Sequence, residues 1–170
     1  SYQKALSLDP SLPDVHANLG WLHQQLGQHG NALSSFQKAL AIDPHNPHAT
    51  FNKAVHLLLH GEMLSGWANY EARFQTGQAQ RRIFGFPEWQ GQKLQGKTLL
   101  IHAEQGLGDT IQFCRYVKSI ADMGARCILE VQPALTALMQ TLAGPAQIIK
   151  TNEPVTADYH IPLLSLPRLM

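Results

Sequence analysis

The chain has 170 residues, 44% of them hydrophobic and only 15% charged, with a formal net charge of +1. That is enough apolar material for a packed core and excludes wholesale disorder, while near-neutrality removes the main argument for binding nucleic acid. No apolar run approaches the roughly 18 residues needed to cross a bilayer. Two cysteines without CxxC or Cys/His spacing suggest neither a disulfide scaffold nor a zinc site, so a reducing, cytoplasmic setting is expected. The chain opens at Ser1 with no initiator Met and no basic region before an apolar stretch, which reads as a piece of a longer protein.

Sliding the sequence by 34 residues pairs Tyr2 with Phe36 and Tyr70, Lys4 with Lys38, Ala5 with Ala39 and Leu6 with Leu40 and Phe74. The same shift pairs Asp9-Pro10 with Asp43-Pro44, Pro13 with Pro47, Asn18 with Asn52 and Gly27 with Gly61. Period and residue types resemble the tetratricopeptide repeat, a helix pair stacked into a superhelix. The array divides into a partial copy over 1–12, a complete one over 13–46 and a divergent one over 47–80.

In the complete copy Pro13 opens a helix, where its missing N–H costs nothing. Leu19, Leu22 and Leu26 form an apolar stripe at spacings of three and four. Gly20 and Ala32 are small where antiparallel helices approach, Gly27 ends the first helix, and Asp43-Pro44 stops the second, whose inner face is Phe36, Ala39 and Leu40. The third copy keeps Ala54, Gly61, Tyr70 and Phe74 but loses the closing proline.

Asn18 and Asn52 hold equivalent places on successive first helices. In tetratricopeptide proteins an asparagine here commonly bonds the backbone of an extended peptide, which an amide suits because it both donates and accepts. The alternative is that both bond within the repeat framework. Among His45, His48, His56 and His60, the last two form an i,i+4 pair of metal-binding type. No third ligand stands at a persuasive spacing, so no metal is expected and the imidazoles read as solvated or interfacial.

Residues 81–97 form a connector punctuated by Gly85, Pro87, Gly91 and Gly96. Phe84, Phe86 and Trp89 are too apolar for water and predict docking on the last repeat or on the following segment. Arg81 and Arg82 read as solvated charges or as an anion contact.

Over 98–170 the pattern alternates. Thr98–Ile101 predicts a strand, and a helix follows the turn Gly106-Leu107-Gly108-Asp109, with Ile111, Cys114, Val117, Ile120 and Ala121 on one face. Asp109 is a suitable N-cap and Gly124 a suitable stop. Cys127–Val131 predicts a second strand, Pro133 opens a helix to about Leu142, Gln147–Ile149 is a third strand and 158–162 a fourth. This is the opening of a doubly wound, Rossmann-like parallel sheet. A dinucleotide fingerprint is incomplete, since Ile111 stands where the third glycine belongs; Glu130 is the nearest acidic candidate for a ribose.

The string from Lys97 to Tyr116, with Pro87-Glu88-Trp89-Gln90-Gly91 before it and Pro162–Pro167 after it, resembles bacterial tetratricopeptide proteins. Their C-terminal region is similar to the heptosyltransferase-type glycosyltransferases (glycosyltransferase family 9). The resemblance implies that 98–170 is part of the N-terminal, acceptor-side half of a two-domain GT-B enzyme. It implies Asp109 as general base, with Glu104, Gln105, Gly106 and Gly108 as acceptor-site candidates beside it. A nucleotide sugar would be the donor substrate in the intact parent and no cofactor is called for. Because the donor is held mainly by the other half, this chain alone is expected to be inactive. The protein O-GlcNAc transferase type also joins such repeats to a glycosyltransferase, which makes protein glycosylation a variant. The rival expectation is a non-catalytic scaffold that binds protein or peptide through its repeats, with Asp109 serving only as a cap.

Overall fold

A computed structural model describes residues 2–170; Ser1, where the partial first copy begins, lies outside the described residues. The chain folds as two compact units, Ser1–Gln80 and Arg81–Met170. The first is helical repeats and the second a parallel sheet with helices, the class that the sequence predicts.

The first unit contains α1 (Tyr2–Leu8), α2 (Pro13–Gln25), α3 (His29–Ile42), α4 (Pro47–Leu59) and α5 (Met63–Tyr70), followed by a 3-10 turn, Glu71–Phe74. Pro13 and Pro47 each sit in the first turn of their helix, and the Asn46 side chain caps α4 by accepting from the Ala49 N–H at 2.8 Å. The 34-residue period is visible in the helix ends. Gln28 N–H donates to His23 O at 2.8 Å and Gly27 N–H to Gln24 O at 3.0 Å. One period on, Glu62 N–H donates to Leu57 O at 2.9 Å and Gly61 N–H to Leu58 O at 3.2 Å. These are paired Schellman bonds, and they need the left-handed backbone that Gly27 (φ 70°) and Gly61 (φ 81°) adopt.

Each helix pair closes on one glycine. A Cβ on Gly20 would lie 2.5 Å from the Phe36 ring, and one on Gly66 would lie 2.6 Å from the Leu58 side chain. Small residues face both, since Ala32 stands opposite Gly20 and Ala54 is the repeat equivalent of Gly20. Ala17, Ala39 and Ala49, with Leu40 against them, join α2, α3 and α4.

The Leu19–Leu22–Leu26 stripe is not the buried face of α2. Leu22 and Leu26 are exposed, and Ala17 and Gly20 are the buried residues. One period on, the places of Leu22 and Leu26 are taken by His56 and His60, which meet His29 of the preceding second helix.

The second unit holds β1 (Thr98–His102), α6 (Leu107–Phe113), α7 (Tyr116–Asp122), β2 (Arg126–Val131), α8 (Thr136–Met139), β3 (Pro145–Lys150) and β4 (Tyr159–Pro162). The order is β3-β2-β1-β4 and every pairing is parallel. Leu99, Leu100 and Ile101 have no exposed surface, as a central parallel strand covered on both faces requires. Two expected helices differ. The one after β1 is interrupted at Cys114-Arg115; Cys114, Val117 and Ile120 of the expected face are buried, joined by Thr110 and Phe113, while Ile111 is exposed. The one from Pro133 is a 3-10 turn plus the four residues of α8, ending before Leu142.

The connector belongs to this unit. Phe84 and Phe86 pack on Leu100, Ile128 and Ile149. Trp89 is buried and its indole N–H donates to Gln92 O at 2.8 Å. Neither arginine is merely solvated: Arg81 pairs with Glu88, and Arg82 forks onto Glu130, which is fully buried. Glu130 is therefore held by a guanidinium and is not placed as a ribose ligand.

Candidate functional site

Three places concentrate polar side chains. The first lies between the first helices of successive repeats. Asp14 and Asn18 of α2 and His48 of α4 line a hollow of about 250 Å³. Asp14 is fixed there, its Oδ1 accepting from Asn46 Nδ2 at 2.8 Å while Asn46 caps α4. Asn18 is exposed, Asn52 is half-buried, and neither side chain has a hydrogen-bond partner among the described residues. The structure brings Asn18 to the hollow; Asn52 is one repeat along and does not line it.

The second place is the carboxyl end of β1. The chain runs β1, β2, β3 outward and then returns to set β4 on the other side of β1. The gap between β1 and β4 is thus the topological switch point, where open α/β sheets bind ligands. Glu104 and Gln105 follow β1 directly. Glu104 Oε1 accepts from the Leu164 N–H just after β4 at 3.1 Å, so the carboxylate spans the switch point. Gln132, after β2, donates to Gln105 O at 2.8 Å and accepts from the Thr110 hydroxyl at 3.0 Å. Gly106, not Asp109, is the N-cap of α6. Asp109 sits three residues in, and its Oδ2 accepts from the Gly106 N–H at 3.0 Å. Gly106 has an ordinary φ of −69° and Gly108 lies one residue inside α6 with open space where a side chain would be.

Behind this loop His102 and His160 are buried, 3.4 Å apart through ring nitrogens, with Phe84 against both at 5.0 and 4.5 Å between centroids. Burial holds the His160 imidazole below the ordinary histidine value; Glu88 opposes this, and Arg81 and Arg82 reinforce it. His102 is a packed residue of the sheet.

The third place was not legible from spacing. His29, at the start of α3, joins His56 of α4 and His60, the C-cap of that helix, one ring nitrogen of each lying within 4.8 Å of the others'. Burial holds His56 below the ordinary histidine value, with His60 and His29 adding to the effect. No i,i+4 rule finds His29, because it arrives from the neighbouring helix. The fixed period does contain a signal, since His56 and His60 replace Leu22 and Leu26.

Among the described residues, no helix is long and apolar enough to cross a membrane. The chain is 32% identical over 127 residues to protein FlbA of Caulobacter vibrioides, covering 71% of this chain and 21% of FlbA. A mutant O-GlcNAc transferase from Thermobaculum terrenum superposes over 87% of this chain and 36% of its own, with 12% identity and a TM-score of 0.41. The chain thus spans about a fifth of FlbA and about a third of the transferase chain. The tetratricopeptide repeat family matches residues 13–46, so α2 and α3 are one such repeat, a module that supports protein binding.

Proposed function

We propose that the repeats hold an extended peptide through Asn18 and Asn52. We propose further that the α/β unit is the acceptor-side half of a glycosyltransferase-like domain, of the heptosyltransferase type and within a longer parent. The observation that carries the first part is the hollow bounded by Asp14, Asn18 and His48, with the Asn18 amide unused among the described residues. An amide so placed can donate to a peptide C=O and accept from an N–H without reading side chains. The second part is supported by position and by the Lys97–Tyr116 string: Glu104, Gln105 and Asp109 stand at the carboxyl end of β1, beside the switch point. In this reading Asp109 accepts the proton of an acceptor hydroxyl as that oxygen attacks the anomeric carbon and the nucleoside diphosphate leaves. The nucleotide sugar is donor substrate, and no cofactor is called for. A cytoplasmic setting fits Cys114 and Cys127, both free and buried.

One observation favours a non-catalytic scaffold instead. The carboxylates of Glu104 and Asp109 both accept from backbone N–H groups of their own unit, which is structural work. One experiment addresses both readings: the parent protein is assayed with a panel of nucleotide sugars while binding of an extended-peptide library is measured alongside. Asn18→Ala with Asn52→Ala is expected to weaken the selected peptide about tenfold, the worth of one or two hydrogen bonds, at unchanged helicity. Unchanged affinity removes the groove. Intact peptide binding with no transfer or hydrolysis from any donor establishes the scaffold.

A further inference from the structure

The contact between α3 and α4 carries a chemistry that repeat packing does not ask for. In the complete repeat the corresponding places are Leu22 and Leu26, apolar side chains without metal-ligating atoms. One period later they are His56 and His60, and the neighbouring second helix opens on a third imidazole, His29. The rings crowd together, with centroids 4.3 Å apart for His56–His60, 4.4 Å for His29–His60 and 6.0 Å for His29–His56.

The hydrogen bonds select a tautomer. His60 Nδ1 lies 2.7 Å from the His56 carbonyl oxygen, and His56 Nδ1 lies 3.2 Å from Gln24 Oε1. Facing an oxygen acceptor, each Nδ1 carries the proton and donates. The neutral ring then has its lone pair on Nε2. A metal-bound histidine has this arrangement, with the second nitrogen donating to a carbonyl or carboxylate that fixes the ring. His56 is buried, whereas His29 and His60 are exposed.

We propose that His29, His56 and His60 form a site for a borderline divalent transition-metal ion, Zn²⁺ above all, clipping the start of α3 to the end of α4. Three imidazoles suit Zn²⁺, Ni²⁺ or Cu²⁺ and not Mg²⁺ or Ca²⁺, and they leave a coordination position for water. Metal–nitrogen bonds of about 2.0–2.1 Å require the donor nitrogens to draw together from their present 4.8 Å limit. Rotation of the exposed His29 ring, with His60 pivoting about its Nδ1 hydrogen bond, supplies that movement.

The test is calorimetric titration of the metal-free full chain with Zn²⁺ and, separately, Mg²⁺ near neutral pH. Co²⁺ absorption serves as a probe of coordination geometry. One Zn²⁺ per chain, no Mg²⁺ binding and a raised thermal midpoint are expected. His29→Ala and His60→Ala, both at exposed positions, should each weaken Zn²⁺ binding about tenfold or more with helicity retained. His45→Ala and His48→Ala should leave the affinity unchanged. Absence of stoichiometric Zn²⁺ binding, or an affinity in the His29→Ala and His60→Ala chains equal to that of the unaltered chain, overturns the proposal.

Discussion

At the scale of single residues, the contested group is Asp109, which has one observed job and one proposed. Its observed job is to receive the Gly106 N–H and hold the first turn of α6. Asp109→Asn separates the two, because an amide oxygen still accepts that hydrogen bond but cannot act as a general base. The chain should lose no more than about 1 kcal/mol of stability. Sugar transfer by an active parent should fall by about a hundredfold or more. Equal transfer rates in the two proteins would leave Asp109 a cap and nothing else. Sequence reading placed this carboxylate on the correct turn but at the wrong cap position. Gly106 has no side chain to announce itself as an N-cap, whereas Asp is a favoured one.

At the scale of elements, helix pairing makes a sharper demand than helix propensity. Alanine is about 1 kcal/mol better than glycine within a helix, so Gly20→Ala ought to stabilise α2 in isolation. In the folded unit the added Cβ would sit 2.5 Å from the Phe36 ring, and overpacking of this kind costs about 1–3 kcal/mol. A net loss is expected, read as a lowered denaturation midpoint; a raised midpoint would show that Phe36 moves aside freely. The helix pairs were legible because proline starts, glycine stops and the 34-residue period are local signals. What escaped reading depends on neighbours distant in sequence. Leu22 and Leu26 look buried by spacing yet stand exposed, whereas on the face through Ile111 the residues Cys114, Val117 and Ile120 stay buried across the helix break and Ile111 is exposed. His29 entered its cluster the same way, delivered by packing from outside any periodic pattern.

For the molecule as a whole, the second unit should respond to mild acid. His160 is buried against His102 and Phe84, with Glu88, Arg81 and Arg82 around it, and its folded-state pKa is lowered, chiefly by burial. Below about pH 6.5 the unfolded chain takes up this proton while the folded one resists it. Stability is therefore complete above that pH and declines as pH falls toward the folded value. Thermal unfolding between about pH 7.5 and 5.5 should show a falling midpoint, with a shallower slope in His160→Gln. An identical slope in the variant would assign the effect to other groups. The same strand has a consequence for solubility. Trp89 N–H donates to His160 O at 2.8 Å, and His160 N–H donates to Pro87 O at 3.0 Å, so the connector occupies hydrogen-bonding groups on the outer margin of β4. At the opposite margin, β3 opens with Pro145 and ends on an exposed Lys150. Proline withholds a ladder donor and lysine resists burial against another chain, so both borders discourage strand-by-strand addition between molecules. A chain shorn of residues 81–90 would present β4 bare and become prone to aggregate through it.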